Sequence, residues 1–156
     1  MSDQDAVGKP LLVLFICNHC PFVKHIRHEL SAIGRAYIPK GVAIAAVSSN
    51  DPVTYPADGP ELMASEACDA GYTFPYLFDA NQDVARRFDA QCTPDMYLFD
   101  RDHRLVYRGQ LDDSRPKSDT PVTGRDLRRA LDAVLNGQPP LDVQLPSVGC
   151  SIKWRS

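Results

Sequence analysis

The sequence predicts an α/β fold in three layers, a mixed central sheet with helices on both faces. Three observations carry that prediction. Two continuous apolar runs, residues 11–16 and 42–47, flank a stretch with apolar residues at helical spacing. Two later apolar runs, residues 96–99 and 104–107, are separated by a short polar link. A last stretch, residues 123–137, returns to helical spacing. Strands joined by a helical crossover run parallel, whereas a short link makes a hairpin. One sheet therefore holds strands of both directions.

The elements follow in order. Residues 1–9 are polar and read as a frayed lead-in. Residues 11–16 are apolar without alternation and include branched side chains, as in a strand buried on both faces. Phe22, Ile26, Leu30, Ile33 and Tyr37 then recur on one helical face, and Pro39 and Gly41 stop that helix. Residues 42–47 form the second buried strand. Residues 48–60 hold three prolines and read as a loop, with Pro60 opening a helix that Gly71 closes. Residues 74–78 are extended. Asn81 is placed to cap a short helix that turns Val84 and Phe88 inward. After the break at Thr93 and Pro94 comes the hairpin. Thr123 and Asp126 then suggest a variant capping box for a helix lined by Leu127, Leu131 and Val134 and ended by Gly137. The whole is read as one domain, residues 1–156, with a core at about 10–137 and a tail at 138–156.

The 156 residues carry a net charge of −3, so nothing calls for a nucleic-acid partner. The opening residues lack the positive region of a signal peptide, and the first apolar run is too short to span a membrane. A cytoplasmic protein with no membrane partner is expected. Five cysteines, an odd number, do not suit a fully paired secreted framework. In a reducing compartment a close cysteine pair is catalytic or metal-binding.

That pair is Cys17 and Cys20, with Asn18 and His19 between them. It lies where the first strand hands over to a helix, the usual place for a site in such a sheet. Helix amide groups stabilise negative charge there and lower a thiol pKa. Cys17 is expected to be the more exposed thiol and the nucleophile, and Cys20 the resolving thiol that releases product from the mixed disulfide. His19 either favours the Cys17 thiolate when protonated or is a solvated spacer. Zinc takes about four ligands. His25 and His28 lie beyond the first helical turn and no second Cys-x-x-Cys exists, so neither metal nor cofactor is expected.

Several stretches resemble a known family: residues 15–24 (FICNHCPFVK), 48–51 (SSND), 72–79 (YTFPYLFD), 92–95 (CTPD), 108–116 (RGQLDDSRP) and 149–154 (GCSIKW). They resemble the peroxiredoxin-like branch of the redoxin (alkyl hydroperoxide reductase/thiol-specific antioxidant) family, in the thioredoxin superfamily. The resemblance runs from about residue 11 to 154. It implies a thioredoxin-like fold, a redox-active centre and an antioxidant role. It also implies that Pro94 is the cis proline facing the cysteine pair, with the Thr93 backbone offered to an extended substrate. Three departures matter. Only about ten residues precede the first strand, which implies a more open sheet edge. Leu11 stands where thioredoxin carries a buried acid, so another group or water must take the Cys20 proton. Peroxiredoxins carry Pro-x-x-x-Thr-x-x-Cys; aligned on Cys20, those places hold Val13 and Cys17. The peroxide-orienting hydroxyl is missing, which ranks disulfide exchange above peroxide reduction.

The remaining cysteines leave alternatives. Cys92, two residues before Pro94, is either a third redox thiol or a core residue. Cys150 either resolves a disulfide, if the tail folds back, or is a bystander. Cys68 reads as structural. Arg108, Asp112, Asp113 and Arg115 read as a solvated, ion-paired turn. The expected function is thiol–disulfide oxidoreduction on protein or small-molecule disulfides, with regeneration by a cellular dithiol system. The alternatives are a thiol-dependent peroxidase and a metal- or copper-handling module using Cys17, Cys20 and a histidine.

Overall fold

Hydrogen-bonded strands appear where the apolar runs lie: β1 (Leu11–Phe15), followed by helix α1 (Pro21–Tyr37) and strand β2 (Ala43–Ser48). Then come α2 (Pro60–Ala70), β3 (Tyr76–Phe78), α3 (Asp83–Phe88), β4 (Cys92–Thr93), β5 (Asp95–Phe99), β6 (Leu105–Gly109), α4 (Arg125–Leu135) and β7 (Cys150–Ser151). These are seen in a computed structural model that describes residues 3–156, the Asp3 side chain excepted. Five strands form one sheet in the order β3-β2-β1-β5-β6. β1 runs parallel to β2 and antiparallel to β5, and β5 and β6 form the hairpin. The sheet is mixed.

Alternation along β1 builds two cores. Leu12, Leu14 and Ile16 face α1 and α4, meeting Ile26, Leu30, Ile33, Leu127 and Leu131. Val13 and Phe15 face the other way, onto Ala85, Tyr97 and Ile152. There Phe15, Phe88 and Tyr97 pack edge to face at 5.3–5.6 Å. The two sets lie on opposite sides because side chains alternate across a strand.

Several local expectations are corrected. The lead-in is docked. A 3-10 turn at Asp3–Ala6 buries Ala6, whose carbonyl lies 2.9 Å from Nε2 of His103. Residues 1 and 2, on which the frayed lead-in and leader readings also rest, lie outside the described residues. Helix α3 is capped twice: Asn81 accepts the Asp83 amide at 3.2 Å, as expected, and the buried Asp79 carboxylate accepts the Val84 and Ala85 amides at 3.2 and 2.9 Å. This turns Ala85 inward and leaves Val84 exposed. The capping box at Thr123 does not form. The Asp126 and Leu127 amides donate to the Leu111 carbonyl, both at 3.1 Å, and the Asp126 carboxylate takes the Gln110 side chain. Asp112 is not solvated. It is buried and accepts the amides of Ser114, Thr123 and Gly124.

The core does not stop at residue 137. The tail returns along the molecule, and β7 pairs with β4. Gln144 bonds both the Arg108 amide and the Val106 carbonyl, so it covers part of the open edge of β6. Ile152 is buried in the second core. Among the described residues no helix is long and apolar enough to cross a membrane.

Ile152→Ala is expected to cost about 2–4 kcal/mol in urea unfolding, the range for truncating a buried branched side chain. A change near zero would mean that the tail is not part of the folded core.

Candidate active site

Cys17 leaves β1 just after Ile16, whose amide still bonds Val47 at 3.0 Å. Cys20 is the residue before α1, and Pro21 opens the helix. The short link between them folds under the 50–58 loop. The Asn18 side chain donates to Ala57 at 2.9 Å and accepts from the Tyr76 hydroxyl at 2.9 Å. Both thiols are covered, Cys17 at 1% exposure and Cys20 at 0%. The expectation of an exposed Cys17 is corrected, and the cover supplied by this loop is the reason.

The electrostatics also differ from expectation. Cys20 is pulled down to about 4, first by a hydrogen bond from Cys17, with Cys150, Thr93 and the Val23 amide adding to it against burial. Cys17 is held well above an ordinary thiol, first by its bond to Cys20 and then by burial, with the Asp58 charge adding to both. Of the two, Cys20 is the more acidic. The helix amide that lowers a thiol pKa reaches the residue at the cap, and Cys17 is one turn too early for it.

Asp58 is the residue that sequence reasoning missed. It lies at the end of a 3-10 turn, Pro56–Asp58, and is fully buried. Its carboxylate accepts the amides of Asn18 and His19 at 2.8 and 3.1 Å and the Asn50 side chain at 2.9 Å. It also accepts Nδ1 of His19. These donors offset the cost of burying a carboxylate. His19 is no free spacer. Asp58 fixes its ring, Tyr55 stacks on it at 5.2 Å, and its side chain remains 28% exposed. The only sequence hint was an acid in a proline-rich loop, and no spacing rule links such a loop to Cys17. Ligand atoms of Cys17, His19 and Asp58 lie within 4.8 Å of one another, a grouping able to hold a metal ion.

The Thr93–Pro94 peptide is cis and lies across the pair. The Thr93 hydroxyl is 3.5 Å from the Cys17 sulfur, and the Cys20 sulfur lies 3.4 Å from the Thr93 carbonyl oxygen. Thr93 is itself buried and is the strand partner of Cys150. The protein's own tail thus takes the backbone edge that the resemblance assigns to an extended substrate. Cys92 is half-buried, its thiol turned to the Pro94 and Ser147 carbonyls at 3.6 and 3.9 Å, and burial pushes it up to about 11. Cys68 is exposed on α2, against the structural reading. His25 bonds Ser114 at 3.1 Å, and His28 is exposed.

A model of the AhpC/TSA family matches residues 1–108. A search of curated proteins returned no match. Among solved structures, a conserved uncharacterized protein from Geobacillus kaustophilus is 54% identical, with a TM-score of 0.95 over 98% of this chain and 81% of that one. A hypothetical protein from Sinorhizobium meliloti 1021 is 47% identical, with a TM-score of 0.96 over 98% and 84%. A putative thioredoxin from Neisseria meningitidis is 21% identical, with a TM-score of 0.67 over 87% and 81%. The fold is thioredoxin-like.

Two titrations test the electrostatics. In the reduced protein, thiolate absorbance should persist as the pH falls from 8 through 6 and fade only near 4. Cys20→Ser should abolish this low transition. In a Cys20→Ser background, Asp58→Asn removes a negative charge beside Cys17, so the pH midpoint of Cys17 alkylation should fall. A midpoint that stays or rises contradicts the assigned charge effect.

Proposed function

The chain belongs to the AhpC/TSA family, and on that premise we propose that it is a thiol–disulfide oxidoreductase acting through Cys17 and Cys20. One observation carries the reading. Two buried thiols of unequal acidity sit at a strand-to-helix junction with Thr93 facing both. A dithiol with one sulfur already ionised needs no external base for its first step.

Cys17 is the attacking thiol and Cys20 the resolving one. The Cys17 proton passes along the sulfur–sulfur hydrogen bond to Cys20. The Cys17 thiolate attacks a substrate disulfide, forming a mixed disulfide and expelling one substrate thiolate. Cys20 then attacks the Cys17 sulfur, releases the second substrate thiol and gives up its proton. The protein is oxidised by two electrons and the substrate disulfide is reduced. His19, oriented by Asp58, stands beside Cys17 at the exposed rim and is the group through which protons reach solvent. The covered thiols and the Thr93 edge occupied by the tail favour small or narrow disulfides over broad protein surfaces. A cellular dithiol system returns the pair to its reduced form, in the cytoplasm, with neither nucleic acid nor membrane as partner.

Thiol-dependent peroxide reduction is the second reading, favoured by one contact. The Thr93 hydroxyl stands beside Cys17 and restores a hydroxyl that the sequence motif lacks. A metal-handling role would use the Cys17, His19 and Asp58 grouping.

Cys17→Ser is expected to reduce a test disulfide only at the background rate, and full activity in that variant would sink the mechanism. Hydroperoxide turnover that exceeds disulfide turnover, with a trappable sulfenic acid, would favour the peroxidase instead. Stoichiometric metal retained through desalting and lost in Cys17→Ser would favour the metal role.

A further inference from the structure

Cys150 reaches the site from the far end of the chain. In the β4–β7 pair it stands opposite Thr93, the residue that contacts both Cys17 and Cys20. Cys20 and Cys150 each perturb the other's acidity, lowering Cys20 and raising Cys150, as neighbouring side chains do. Thr93 therefore brings three cysteines to one place, Cys17 and Cys20 against its own atoms and Cys150 as its strand partner.

This contact is built into the fold. A side chain at Gly149 would place its Cβ 1.9 Å from the Thr93 carbonyl oxygen and 3.0 Å from the Pro94 ring. Only glycine lets the backbone come so close, and it delivers the next residue, Cys150, onto the pair. The segment is tied on both sides. The Ile152 amide bonds Gln91 at 3.2 Å, and the Lys153 amide and carbonyl bond Asn50 and Asp51 at 2.8 and 2.9 Å. Gln82 holds the Lys153 carbonyl and the Arg155 amide. Cys92 is no rival, since its thiol is turned to two carbonyls.

We propose that Cys150 is a third redox thiol that forms a second disulfide with Cys20. The proposal rests on disulfide exchange at Cys17 and Cys20 and extends it. In the oxidised protein the Cys150 thiolate attacks the Cys20 sulfur. The Cys20–Cys150 bond forms as the Cys17–Cys20 bond breaks. The electron pair leaves with Cys17, which takes up the proton that Cys150 gave up. No electrons enter or leave, so no further oxidant is needed. The two-electron oxidation is stored in the Cys20–Cys150 bond, and Cys17 is a free thiol again beside His19. The oxidised protein can thus engage a further disulfide, which a simple dithiol cannot do. Burial pushes Cys150 up to about 11, so the transfer should quicken as the pH rises.

The test uses the full chain equilibrated across a glutathione redox series, quenched in acid, alkylated and mapped by peptide mass spectrometry. The Cys17→Ser protein should form a Cys20–Cys150-linked peptide, and Cys17→Ser/Cys150→Ser should lose it. Unmutated protein, trapped without unfolding, should yield the same linked peptide together with alkylated Cys17, a readout independent of how the variants fold. Two results overturn the proposal. In one, Cys20 and Cys150 in Cys17→Ser remain alkylated, or carry only glutathione, in buffers that oxidise the unmutated protein. In the other, Cys20 pairs with Cys92. If the unmutated protein never forms a Cys17–Cys20 bond, the underlying exchange reading fails instead.

Discussion

Two buried sulfur atoms of unequal acidity set the terms for everything around them. A thiolate without solvent must be stabilised by donors that the fold supplies. Cys20 receives them from the Val23 amide at the start of α1 and from thiols on both sides. Cys17 receives the Thr93 hydroxyl but faces the Asp58 charge. The resulting asymmetry places the negative charge on the inner sulfur. The outer sulfur holds its proton more tightly.

That arrangement explains why distant segments converge there. The 50–58 loop folds over the thiols because Asp58 must find its donors, and it finds them in the Asn18 and His19 amides between the cysteines. The tail crosses β4 because Gly149 permits close contact with Thr93, and Ile152 then closes the second core. Cover, ionisation and tail docking are thus mutually dependent. The same packing that keeps water from the pair gives Cys20 a second sulfur neighbour.

Much of the frame was legible because it depends on local periodicity. The run at 11–16, the spacing from Phe22 to Tyr37, the proline and glycine stops, and the hairpin at 96–107 each signal their element within a few residues. Helix ends were less legible, because their orphan amides take whatever acceptor is near in space. Asn81 takes the first amide of α3, as its place in sequence suggests, but the buried Asp79 takes the next two, and Val84 is left exposed. At the start of α4 Thr123 takes only the Arg125 amide, while Leu111, from the segment after β6, takes the next two. Asp112 looked like surface charge but is a buried acceptor.

The sequence by itself determined the mixed α/β plan, the cysteine pair at a strand-to-helix junction and its resemblance to a redoxin. All of these follow from residues close together along the chain. Only the tertiary structure decided which thiol is the more acidic, that both are covered, that Asp58 orients His19, and that Cys150 pairs with Thr93 beside the site. Each of these depends on groups brought together through space. Electrostatics and burial respond to distance between atoms, and separation along the chain carries no record of that distance.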